Sequence, residues 1–132
     1  MDQSVQAGKT DPSLLSEIFE ASGEKVHNCF QCQTCSSGCP VNFAMDILPN
    51  QMFRHIQYGH RDRVLSSQTI WLCASCHTCS VRCPNSIDIA KIMDTLRSIS
   101  NKSRAVPGEK KISLFHKFFL GLTKYTGRTW EP

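Results

Sequence analysis

Eight cysteines carry most of the chemistry that this 132-residue chain can perform. They stand in two copies of one string: Cys29, Cys32, Cys35 and Cys39 before Pro40, and Cys73, Cys76, Cys79 and Cys83 before Pro84. The spacing C-x2-C-x2-C-x3-C-P gathers three thiolates into one tight loop. It sends the fourth a helical turn away, beyond reach of the same small metal centre. Such strings predict two [4Fe-4S] clusters, in which the first three cysteines hold one cluster and the cysteine before proline ligates the other. Cluster one then takes Cys29, Cys32, Cys35 and Cys83, and cluster two takes Cys73, Cys76, Cys79 and Cys39. Neither half is complete alone.

Other cysteine chemistries fit less well. A zinc site pairs two C-x2-C knuckles, and the third cysteine of each string has no tetrahedral role there. A disulfide framework needs an oxidising compartment, whereas Met1, Asp2, Gln3 and Ser4 begin no charged-then-apolar secretory signal. All eight cysteines fit the cluster pattern, which leaves no nucleophilic thiol. No G-x-G-x-x-G turn or phosphate-binding loop is present either, so electron transfer is the expected activity.

Composition narrows the class further. The formal charge of +4 treats the cysteines as neutral, and four thiolates around each 2+ core bring the loaded protein close to zero. The basic excess is local: residues 101–132 sum to +5 through Lys102, Arg104, Lys110, Lys111, Lys117, Lys124 and Arg128 against Glu109 and Glu131. A nucleic-acid interface would interleave aromatic and basic residues in a recognisable motif, and none is seen. No apolar run reaches membrane-spanning length, so a soluble or peripheral protein is expected, and its location is expected to be cytoplasmic. The core looks small, so metal is expected to help hold the domain, with the iron-free chain largely disordered around residues 29–83.

The elements that must position the cysteines read as helices, giving an all-α fold. A leader (1–10) precedes the cluster domain (11–100), and a linker with an amphipathic tail (101–132) follows. Asp11 and Pro12 start a helix whose stripe is Leu14, Leu15, Ile18 and Phe19 and which Gly23 closes. Phe19 is expected to pack, with docking of a partner as the other possibility. In the interval 40–72, Leu48, Met52 and Ile56 recur every four residues between Pro49 and Gly59, a helical signal where a compact bacterial ferredoxin would place strands. Ser66 or Ser67 is expected to cap a short helix through Ile70, Trp71 and Leu72, with Trp71 shielding cluster two. Ser86 caps a further helix with stripe Ile89, Ile92, Met93, Leu96 and Ile99, and Asp88 complements its dipole. In the tail, Ile112, Phe115, Phe118, Phe119 and Leu122 share one side, set against Lys110, Lys111 and Lys117. That helix packs on its own domain, docks a partner or lies on a membrane.

The strings repeat with a period of 44 residues, which implies pseudo-twofold symmetry. With a helical turn between Cys35 and Cys39, the two clusters fall on the order of 10 Å apart. His77 lies inside the second loop, where Thr34 and Ser36 occupy comparable ground in the first, and is expected to face solvent or to tune the cluster. His27, His55, His60 and His116 share no metal-site spacing.

These strings, the helical interval between them and the block Ile70–Trp71–Leu72–Cys73–Ala74–Ser75–Cys76 resemble the C subunit of heterodisulfide reductase over roughly residues 12–128. The cysteine motifs alone are shared with other alpha-helical ferredoxin domains, among them iron-sulfur subunits of succinate dehydrogenase, fumarate reductase, glycerol-3-phosphate dehydrogenase and glycolate oxidase. Those relatives commonly carry additional cysteine-rich or [2Fe-2S] domains. The resemblance implies a hetero-oligomer in which the chain relays electrons between a flavin-containing subunit and a disulfide-reducing subunit, the latter acting on a disulfide such as CoM-S-S-CoB. It further implies that the eight cysteines are the cluster ligands, and that the tail with Phe115, Phe118, Phe119, Gly127 and Arg128 contacts the disulfide-reducing subunit. The alternatives are a free-standing ferredoxin-like carrier and the iron-sulfur subunit of another dehydrogenase.

Overall fold

The computed structural model describes residues 10–103 and 110–127. Most of the leader and linker, including Pro107 and Gly108, and the end with Arg128 lie outside the described residues. The described chain is helical throughout, without a strand, as the apolar periodicity predicts. Helices α1 (Ser13–Ser22), α2 (Thr34–Ser37), α3 (Pro49–Gln57), α4 (Arg61–Leu65), α5 (Thr69–Leu72), α6 (Thr78–Arg82), α7 (Ile89–Lys102) and α8 (Lys110–Thr126) follow in order, with 3-10 turns at Val26–Asn28 and Asn42–Ala44. No described helix is long and apolar enough to cross a membrane.

Helix α7 is the spine, and α1, α4, α5 and α6 pack against it. Its expected stripe is buried, and it meets Leu14 and Ile18 of α1, Met52, Phe53 and Ile56 of α3, and Val64, Leu65, Ile70 and Trp71. This core is larger than the composition suggests, because the short α4 and α5 contribute buried side chains without showing a helical period of their own. Phe19 stands outside it and is 47% exposed, so the stripe of α1 is narrower than expected.

Two expected caps are replaced. Gln68 stands at the N-cap of helix α5, and the carboxylate of Asp46 accepts from Gln68 N (3.0 Å), Thr69 N (3.1 Å) and Thr69 Oγ1 (2.9 Å). A distant aspartate thus takes the role expected of Ser66 or Ser67, and a partner 22 residues away leaves no local signal. Helix α7 is capped by Asp88, which accepts from Lys91 N at 3.2 Å, while Ser86 turns the chain with φ +54. The α3 end is fixed by Gly59, whose φ of +72 and carbonyl bond to Asp11 N (2.8 Å) leave no room for a side chain. A Cβ there would stand 2.9 Å from the Asp11 carbonyl oxygen.

Helix α8 does not fold back along its length. Ile112 packs against the core, Ser113 is buried, and His116 faces the ring of the buried Trp71 at 6.3 Å. Thus Trp71 sits beneath α8 as a core residue. Beyond that end, Leu114, Phe115, Phe118, Phe119, Leu122 and Tyr125 are exposed.

Because Asp46 satisfies three donors at the start of α5, Asp46→Ala is expected to lower the unfolding free energy of the cluster-loaded protein by about 1–2 kcal/mol. The midpoint of an anaerobic urea titration measures this.

Candidate metal centre

The two cysteine loops take nearly the same conformation. Gln31 and Gln33 in the first loop have φ of +59 and +65, and Ser75 and His77 in the second have +51 and +58. None is glycine, and each such residue costs on the order of 1 kcal/mol, so the conformation persists only where its surroundings demand it. Backbone that alternates hand in this way curls into a concave nest suited to an anion. His77 is therefore the counterpart of Gln33, not of Thr34 or Ser36. It opens α6 as Gln33 opens α2, and its side chain is 60% exposed with Nδ1 3.7 Å from Asp88 Oδ1.

After each third cysteine, a serine anchors the loop to a long helix. Ser36 donates to Asn50 Oδ1 (2.6 Å) and accepts from Asn50 N (3.0 Å) at the start of α3. Ser80 donates to Asp88 Oδ1 (2.8 Å) and accepts from Ala90 N (3.3 Å) at the start of α7. Helices α2 and α6 then pack together, each followed by its fourth cysteine. Gly38 faces this contact, and a Cβ there would stand 2.8 Å from Nη1 at the tip of the exposed Arg82 and 3.3 Å from the Thr34 carbonyl oxygen.

The result is a pocket lined by Cys29, Cys32, Cys35 and Cys83, backed by Phe53, Ile87 and Ile89. Asn85, two residues past Cys83, donates through Nδ2 to the carbonyl of Asn28, which ties the end of one string to the start of the other. All eight cysteines are unbridged. Among the described residues no three ligating side chains converge tightly enough for a single metal ion. A four-iron cube is wider than one ion, and the unbridged thiols, anion nests and apolar walls fit it.

Residues 25–87 match the family described as a 4Fe-4S dicluster domain. The chain is 29% identical over 112 residues to the C subunit of the H(2):CoB-CoM heterodisulfide,ferredoxin reductase of Methanothermobacter marburgensis, covering 84% of this chain and 60% of that one. It is 32% identical over 104 residues to the second iron-sulfur C subunit of the CoB--CoM heterodisulfide reductase of Methanocaldococcus jannaschii (73% and 55%). It is 31% identical over 100 residues to the C subunit of the ferredoxin:CoB-CoM heterodisulfide reductase of Methanosarcina mazei (75% and 62%). The chain is a homologue of the heterodisulfide reductase C subunit. It spans about 60% of the length of the first of these relatives. In keeping with the dicluster match over residues 25–87, it carries two [4Fe-4S] clusters.

The thiols differ in how readily they ionise, which ligation requires. Cys32 and Cys76 are exposed, and the hydroxyls of Thr34 (3.3 Å) and Thr78 (3.5 Å) hold them below the ordinary thiol value. Burial pushes Cys35 up, and burial aided by the neighbouring Cys73 pushes Cys79 up to about 11.

Sequence reasoning misses Arg97. From α7 it donates to the carbonyls of Ile70 and Cys73 and pairs with Asp94 Oδ1 at 2.6 Å. Its only signal in the sequence is a cation flanking the apolar stripe of α7. The structure also brings together His55 and His60, whose Nδ1 atoms lie 3.0 Å apart, and burial together with that neighbour lowers the His55 pKa.

In iron-free protein at pH 8, iodoacetamide is expected to alkylate Cys32 and Cys76 first and Cys79 last, as read by peptide mass spectrometry over time. Lowered pKa raises the thiolate fraction, and the thiolate is the nucleophile. Equal rates at all eight positions would mean that the loops do not keep these environments without iron.

Proposed function

We propose that the chain is an electron-transfer subunit, relaying electrons between a flavin-containing subunit and a disulfide-reducing subunit of a heterodisulfide reductase or a related complex. The observation that carries this reading is the pocket where Cys83 of one string stands with Cys29, Cys32 and Cys35 of the other. In this reading Cys29, Cys32, Cys35 and Cys83 hold cluster one, and Cys73, Cys76, Cys79 and Cys39 hold cluster two.

When bound, each cluster accepts and returns one electron. The chain's part is to hold the clusters close, keep water from their inner faces and leave an outer corner for exchange. The α2–α6 contact supplies the closeness, because the two fourth cysteines directly follow the packed helices. Phe53, Ile87 and Ile89 wall the first pocket from the interior side. Cys32 and Cys76, the exposed member of each set, place an edge of each cluster at the surface, where partners can approach.

Helix α8 is the contact for the disulfide-reducing partner. Phe118 is 71% exposed and Phe115 62%, with Phe115 stacked on Phe119 at 5.9 Å. An apolar face of this extent on a surface helix is the mark of an interface. Lys110, Lys111, Lys117 and Lys124 accompany it, so an acidic rim on the partner would complement it.

Cys39→Ala tests the crossed ligation. The expected outcome is loss of the cluster held by Cys73, Cys76 and Cys79, with the other retained, read by iron content and electron paramagnetic resonance. Selective loss of the cluster of the Cys29 loop would sink the assignment. Phe118→Asp tests the docking face. Copurification with the partner should fall at least tenfold, while both clusters remain assembled; unchanged copurification would remove α8 from the interface.

A further inference from the structure

The two halves are alike in backbone and unlike in charge at several positions, and at one of them the cation is largely shielded from solvent. The serine anchors set the correspondence between them: Ser36 binds the amide of Asn50, and Ser80 binds the amide of Ala90. Counted from those amides, Gln57 on α3 and Arg97 on α7 are equivalent residues. Their contacts agree. Gln57 Nε2 donates to the carbonyl of Val26 at 3.1 Å, and Arg97 Nε donates to the carbonyl of Ile70, with Val26 and Ile70 one period of 44 residues apart. Each side chain thus braces the turn that leads into its cysteine loop.

The difference lies in what else Arg97 does. Its Nη2 donates to the carbonyl of Cys73, whereas the Nε2 of Gln57 reaches only as far as Val26, and the Arg97 side chain is only 15% exposed. A nearly buried cation therefore leans on the first cysteine of the second loop, where the first loop has a neutral amide. Four other charges bear on the balance. Asp88, with its side chain 38% exposed, accepts from Ser80 where the first half has the neutral Asn50, and Arg82 is exposed at the α2–α6 contact. Asp94 pairs with Arg97, but its side chain is 62% exposed; Arg54, 3.4 Å from Gln57 Oε1 in the first half, is exposed and lies over the Tyr58 ring. Solvent and salt screen all four more strongly than the Arg97 guanidinium, the least exposed of these charges.

We propose that Arg97 makes the two clusters unequal, so that the cluster held by Cys73, Cys76 and Cys79 has the higher reduction potential and is where an electron rests. Reduction adds one negative charge to a cluster, from 2+ core to 1+ core, with no bond made and no proton taken up. The electron comes from a reduced flavin or low-potential ferredoxin donor and leaves to the disulfide-reducing partner. A fixed cation nearby favours the more negative state, and at an intermediate dielectric one charge at side-chain range changes the ratio of reduced to oxidised cluster by about three- to tenfold. This inference rests on the two-cluster reading, and a wild-type protein without two clusters would fail that reading, not this one.

The test is a redox titration of the intact cluster-loaded protein followed by electron paramagnetic resonance, the second-loop signal being the one that Cys76→Ser alters. In the wild type that cluster should reduce first. Arg97→Gln supplies the hydrogen-bonding group of the first half without its charge. It should lower the reduced fraction of the second-loop cluster at least threefold at a fixed potential and leave the first-loop cluster nearly unmoved. The reciprocal Gln57→Arg should raise the first-loop cluster. Full iron content with both potentials unchanged, or moved together, in Arg97→Gln would overturn the proposal. If that variant fails to hold its second cluster, Gln57→Arg decides, and an unmoved first-loop cluster overturns it.

Discussion

The packing of α2 against α6 is the contact on which the molecule depends. Each of these helices is about one turn long and could not persist alone. Each begins at a left-handed residue, ends beside a cysteine meant for the other half, and is held by one serine hydroxyl to the start of a longer helix. The larger helices serve this arrangement. Helix α7 carries the apolar face against which α1, α4, α5 and α6 pack, so the cysteine loops rest on a core that is continuous beneath both halves.

The cluster chemistry is legible in the sequence because ligation imposes fixed spacing, and fixed spacing survives translation into a string of letters. The long helices are legible for a similar reason: Met52 and Ile56, and Ile92, Met93, Leu96 and Ile99, recur with the helical period and are buried. What escapes is held together across long separations. Asp46 reaches Thr69 to start α5, and Arg97 reaches back to Cys73, and in neither case does a neighbouring residue announce the bond. Matching His77 to Thr34 and Ser36 by general position misleads, because the period of 44 residues leads instead to Gln33.

The tail follows a different logic from the rest. In α1, α3 and α7 the apolar face is turned inward, while in α8 only the first turns touch the domain and most of the apolar side chains remain outside. Helical spacing groups Ile112 with Phe115, Phe118 and Phe119, yet it packs inward while they stay exposed. A stripe wide enough to face two ways cannot be divided from the sequence alone, since the period gives the width of a face and not which surface covers which part.

Gly38 and Arg82 occupy the same place in the two strings, and the guanidinium of one lies where a side chain on the other would be. A side chain at position 38 would have to turn the exposed Arg82 aside. A duplicated motif folded against itself meets its own copy here, and the two copies meet through one long side chain and one bare backbone. The sequence divergence between the halves is, at this position, a division of space, one half supplying the side chain and the other leaving room for it.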